Sequence, residues 1–124
     1  MEKEEVGIGT KKESLTAKDV QVETVLVEMQ KDKEQRAIGE KVTLVCQYPD
    51  RAKPLEISKV QYLKDKKIVI HGLWYKVDEN GMIPYSSALA HLLRYENCKN
   101  LKEIKGKKIG TTTDENGFLI AKAY

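Results

Sequence analysis

Two cysteines, three prolines, one phenylalanine and one tryptophan are all that this chain of 124 residues holds of those four types. Cys46 and Cys98 stand far apart and without a C-x-x-C spacing, which excludes a disulfide framework and a four-cysteine zinc site. Two buried thiols are expected instead. No apolar run approaches the ~18 residues that a membrane-spanning helix needs. The start, "MEKEEVGIGTKKES", has neither the apolar core of a signal peptide nor the Arg-rich pattern of a transit peptide. A cytoplasmic protein with no membrane partner follows as an expectation.

Catalytic signatures are also missing. "GIGTKK" lacks the spacing of a phosphate-binding loop and follows no strand. His71 and His91 have no short-range partner of metal-ligand spacing, so structural histidines are the reading. No nucleophile with its base and no paired carboxylates stand out. A non-enzyme without cofactor or metal is expected.

What the chain does have is charge. One third of its residues are charged, yet the net is only +3, a balance that permits a polyanionic partner without demanding one. Lys far outnumbers Arg and Glu is abundant, the bias of hyperthermophile proteomes. The length suits one domain with one modest core. Residues 1–17 carry three Lys, four Glu and two Gly with no hydrophobic period, which reads as a disordered tail before a domain at 18–124.

From Asp19 onward the signal is β. "VQVETVLVEM" puts Val20, Val22, Thr24 and Leu26 on one side and Val25, Val27 and Met29 on the other, which calls for a bulge or two buried faces. "KVTLVCQY" alternates Val42, Leu44 and Cys46 against Lys41, Thr43 and Gln47, as a half-buried strand does. Pro49 and Pro54 bracket a loop. "EISKVQYLKDKKIVIHGLWYKV" reads as two strands around "KDKK", and the second has no polar face. It should be central in its sheet or present aromatics to something outside. "SSALAHLLRYENC" is the one convincing helix, at about 86–96, with Ser86 or Ser87 as N-cap, Ala88, Leu89, Leu92 and Leu93 inward, and His91, Arg94 and Glu96 outward. "KNLKEIKG" reads as a turn carrying Leu101 and Ile104 as core plugs.

The tetrapeptide "DENG" occurs twice, at 78–81 and 114–117. Neither copy is a calcium loop, because Lys76 and Thr112 fall where the first ligand belongs and Ser87 and Ala123 where the last Glu belongs. Asn-Gly instead suits a type I′ hairpin turn in both.

The order of elements, strands followed by one helix and a last hairpin, is that of an OB-type barrel, a mainly β fold. "SSALAHLLRYENCKNLKEIKGKKIGTTTDENGFL" resembles the helix, Gly-led strand and final hairpin of small OB-fold proteins that bind single-stranded nucleic acid, including those of phage and archaeal virus replication modules. That resemblance covers about the last third of the chain. It implies a binding face flanked by the last hairpin turn, although Asp114 and Glu115 at this tip do not suit phosphate.

Binding to single-stranded DNA or RNA needs a basic groove and rings on which bases stack. The rings available are Tyr48, Tyr62, Trp74 and Tyr75, and the nearby cations are Lys59, Lys64, Lys66, Lys67 and Lys76. "KNLKEIKGKK" is the densest positive run, with Lys99, Lys102, Lys105, Lys107 and Lys108. The set expected to touch nucleic acid is Tyr62, Lys64, Lys67, Trp74, Tyr75, Lys76, Lys105, Lys107 and Lys108. Strand alternation allows only one of Trp74 and Tyr75 to point outward. The competing expectation is a β-rich interaction or scaffold protein that pairs through an open edge such as "VQVETVLVEM", including as a homodimer.

Overall fold

The computed structural model describes residues 15–124. Most of the expected tail, and "GIGTKK" with it, lies outside the described residues. The chain enters the fold at Leu15, whose side chain packs against the core, and the Thr16 carbonyl accepts a 2.7 Å hydrogen bond from the Tyr48 hydroxyl.

The fold is mainly β, with nine strands among the described residues: β1 (Val20–Lys31), β2 (Ala37–Gln47), β3 (Leu55–Ile57), β4 (Lys59–Lys64), β5 (Lys67–Gly72), β6 (Trp74–Tyr75), β7 (Lys108–Ile109), β8 (Thr111–Thr113) and β9 (Leu119–Ala123). Two helices, α1 (Ala88–Tyr95) and α2 (Leu101–Ile104), lie between β6 and β7. One sheet runs β3-β2-β1-β7, with β6 also paired to β2, and the other runs β5-β4-β9-β8. Two stretches of chain pass from one sheet to the other, 55–64 through Ser58 and 108–113 through Gly110. The pairings therefore run from β1 through β2, β3/β4, β9 and β8/β7 back to β1. The strands curl round one core as a half-barrel, and all pairs but the parallel β4–β9 are antiparallel.

A bulge resolves the two-sided apolar pattern of β1. Val22 pairs with Cys46 and Thr24 with Val45, so Glu23 is the extra residue. The inserted residue flips the alternation: Val20 and Val22 face the core before it, and Val25 and Val27, paired with Leu44 and Val42, face the same side after it. Val42, Leu44 and Cys46 of β2 are completely buried, as their alternation predicts.

Helix α1 starts where Ser87 Oγ accepts from the Ala90 amide at 3.1 Å. It stops at Asn97, which takes a positive φ of 58° while the Cys98 amide reaches back to the Leu93 carbonyl at 2.8 Å and the Asn97 amide to Arg94 at 3.0 Å. That is a Schellman closure with Asn in place of Gly. The inward face is Ala88, Leu89, Leu92 and Leu93, laid over β4 and β9. The segment expected as a turn forms the short helix α2, because Asn100 Oδ1 accepts from the Glu103 amide while Glu103 Oε1 accepts from the Lys99 amide. Such reciprocal capping can hold even one helical turn. Ile104 is the core plug, and Leu101 is only half-buried.

Of the two alternatives for the second strand around "KDKK", the central one falls, because β5 stands at the end of its sheet with β4 as its ladder partner and its second apolar face stays at the surface. Two expectations are corrected. The DENG turns are not type I′, because positive φ falls on Gly81 and Gly117 alone and not on Asn80 or Asn116. In each, the Gly amide bonds the Asp carbonyl at 3.0 Å and Asp Oδ1 accepts two further amides, the pattern of a type I turn closed by a left-handed Gly. Only the second joins paired strands, β8 to β9; the first is flanked by irregular chain. His91 does not point freely to solvent, for its ring lies 4.5 Å from that of Tyr62. Among the described residues no helix is long and apolar enough to cross a membrane.

Candidate nucleic-acid interface

The outer face of the β2, β4, β5 and β6 strands follows from register. Lys41 pairs with Trp74, Lys59 with Gly72, Gln61 with Ile70 and Leu63 with Ile68, and in each β4–β5 pair the flanking residues Val60 and Tyr62 point inward to the core. Ladder partners share a side, so Lys41, Lys59 and Trp74 stand together, continued by Ile70, Ile68 and Leu63. Trp74 is 40% exposed, and these three aliphatic residues are exposed as well.

Glycine makes the seat for the indole. A Cβ on Gly72 would lie 3.1 Å from Trp74 Nε1 and would strike Lys41 Nζ, and a Cβ on Gly39 would come within 3.2 Å of the six-membered ring. The ring therefore lies close over two bare backbone positions. Lys41 Nζ sits 4.4 Å from its centroid, a cation–π distance. Burial lowers the Lys41 pKa first, and the neighbouring Lys59 charge lowers it further. Glu28 stands opposite Lys41 on β1, yet among the described residues the ion pairs are those of Arg36 with Asp32 and Glu34. The Lys41 ammonium thus sits beside an exposed ring with the Lys59 charge near it, and neither lysine has an ion-pair partner among the described residues.

The expected contact residues do not form one surface. Tyr62 is a correction: at 1% exposure it is core, held by a 2.7 Å hydrogen bond between its hydroxyl and His71 Nδ1 and by the His91 ring, so no base can stack on it. Burial raises its pKa. Tyr48 is likewise buried. Tyr75 alternates to the other side of β6, half-buried against the core, which leaves Trp74 as the outward ring of the pair. Lys64 and Lys67 face each other at the β4–β5 turn, exposed at the far end of the same two strands. Lys76 is exposed just past β6.

The basic run is elsewhere. Lys108 pairs with Gln21 on β7, two strands beyond β2 and at the opposite end of β1 from Glu28, the partner of Lys41. Lys108 and Trp74 are thus three strands apart and at opposite ends of the β1–β2 ladder. Lys105 is exposed beside it. Lys107 is occupied, since its Nζ donates to the Glu96 carbonyl at 2.6 Å and caps the end of α1. Burial raises the Glu96 pKa and Lys107 opposes that shift.

Sequence reading missed Lys41, which looked like one more solvent-side residue of an alternating strand. Its register with Trp74 depends on β6, a two-residue strand with no signal of its own. Among the described residues no cluster of three His, Cys, Asp or Glu could hold a metal ion. No known protein family, curated protein or solved structure matches the chain.

Proposed function

We propose that this chain is a non-enzymatic, cytoplasmic OB-like protein that binds single-stranded DNA or RNA with little sequence preference. The observation that carries this reading is the convergence of Lys41 and Lys59 on the glycine-seated, exposed Trp74. The indole offers a stacking platform, worth roughly 1 to 3 kcal/mol per base, and the two ammonium groups offer phosphate contacts that relieve their mutual repulsion. Lys64 and Lys67 pair on the other side of β4 and β5, the side of Val60 and Tyr62, and are not part of this contact set. The circuit of strand pairings supports the OB-like reading.

A fluorescently labelled 15-mer of deoxythymidine, titrated at rising salt, tests it. Affinity should fall steeply with salt, and Trp74→Ala and Lys41→Ala/Lys59→Ala should each weaken binding about tenfold or more while the protein stays folded. No binding at low salt would end the proposal.

A second reading rests on the outer edge of β1. Pairing with β7 stops at Gln21, leaving residues 24–31 with an open ladder and Leu26, Val27 and Met29 exposed. A second copy adding β1 to β1 antiparallel would satisfy that edge. Light scattering at increasing concentration would show a dimer if this is so, and a strict monomer would dismiss it.

A further inference from the structure

On the side of β6 away from Trp74, Tyr75 looks into an apolar groove of about 710 Å³ between the 77–85 segment and the two helices. Its aliphatic surface comes from Val77, Met82, Ile83, Leu93 and Leu101. Met82 is 64% exposed and Tyr85 77%, so the groove is an open trough whose walls stand in water. Exposed apolar surface of this kind marks interaction sites.

Charge at the groove has one sign. Arg94, Lys99 and Lys102 line it, and none of its lining residues is a carboxylate. Arg94 is fixed there, its guanidinium stacked 3.7 Å from the Tyr85 ring centroid and donating to the Tyr85 carbonyl at 2.6 Å. Lys99 and Lys102 make no ion pair among the described residues. An Arg–Tyr pair held at the rim of an apolar trough is the composition of protein interfaces.

The geometry points to a docking groove for an acidic amphipathic segment of a partner protein, one that places two or three aliphatic or aromatic anchors in the trough and carboxylates against Arg94, Lys99 and Lys102. A small ligand would be wrapped more fully than walls this exposed allow. Nucleic acid offers such a floor only thymine methyls and sugar carbons, no large aliphatic anchor, and Tyr85, the exposed ring, already carries Arg94 on its face. The groove is separate from the Trp74 surface because adjacent residues of a strand point to opposite sides. Both can be occupied at once.

Selection of random 12-residue peptides displayed on phage, panned against the full chain, tests this directly. The enriched peptides should be net negative with two or more large apolar residues. A labelled synthetic peptide of the enriched sequence should bind at least about tenfold more weakly to Lys99→Glu/Lys102→Glu and to Met82→Glu. All three positions are exposed, and unchanged far-ultraviolet dichroism and binding of the deoxythymidine 15-mer would show that those variants are intact. Selection of basic or wholly polar peptides, or of none above background, would overturn the inference. So would equal binding to the charge-reversed variant, displacement of the peptide by excess 15-mer, or saturation of the groove by decanoate with no peptide recovered.

Discussion

The Lys41 ammonium stands 4.4 Å from the centre of the Trp74 ring, and the two residues are direct partners across the β2–β6 ladder. Both crowd the position that a side chain on Gly72 would take. Gly72→Ala should therefore test the seat without touching either functional group. The lysine tip is flexible and can swing aside, whereas the indole has to tilt, so the fold should survive with less than about 1 kcal/mol of change. Oligonucleotide affinity should drop about three- to tenfold, or ~0.6 to 1.4 kcal/mol. Anisotropy titration beside a thermal melt separates the two effects. Unchanged affinity would mean that Trp74 needs no glycine floor.

Gln35 reveals a third copy of the DENG turn that the sequence hides. In "DKEQR" the Asp32 carbonyl accepts from the Gln35 amide at 3.0 Å, Asp32 Oδ1 accepts from Glu34 and Arg36, and Gln35 takes the left-handed place of the Gly with φ of 66°. A left-handed non-glycine residue costs about 1 kcal/mol, partly offset by the chain entropy that Gly adds to the unfolded state. Gln35→Gly should therefore stabilise by about 0.5 kcal/mol, and Gly117→Gln should destabilise by a similar amount, about 0.5 kcal/mol. Urea titrations of the two variants check the pair.

These turns show how far the sequence reaches. Elements whose own residues repeat a pattern were legible: the β1 bulge from its double stripe, β2 from Val42, Leu44 and Cys46, and α1 from Ser87 and its leucines. The proposed contact surface was not legible to the same degree. Tyr62 and Trp74 both look like available rings in the sequence, and only the packing of α1, which brings His91 over Tyr62, decides that one is core. Lys41 becomes special through a partner 33 positions away, by a pairing too short to leave a period. The dense lysines at 105–108 lie apart from Trp74 in the sheet, which sequence density alone does not reveal.

Tyr62→Phe tests the reassignment of that residue. The substitution keeps the ring and its contact with His91 but removes the hydrogen bond to His71 Nδ1. Loss of one such bond costs about 0.5 to 1.5 kcal/mol. The melting temperature should fall accordingly, while affinity for the 15-mer stays as in the parent. A loss of affinity at unchanged stability would restore Tyr62 to the binding face.

Cys46 makes the stability of the fold sensitive to alkali. Burial, with a smaller push from the Glu23 charge, raises its thiol from the ordinary value near 9.0 to about 12. In the unfolded chain the thiol ionises at the ordinary value, whereas the folded chain holds it neutral. Because the folded pKa is the higher one, its contribution is fully present below about pH 9 and is lost as pH climbs towards 12, with a limiting slope of about 1.4 kcal/mol per pH unit. Lys41 acts in the opposite sense, since its folded pKa is lowered and its penalty is relieved as pH approaches 10.5. Cys46→Ala isolates the thiol. It should cost about 1 kcal/mol or more at pH 7 through the lost packing, yet its urea midpoint should fall less than the parent's between pH 9 and 11. Equal losses in the two proteins would mean that Cys46 ionises freely in the folded state, and the parent thiol would then react with a disulfide reagent at neutral pH instead of only after unfolding.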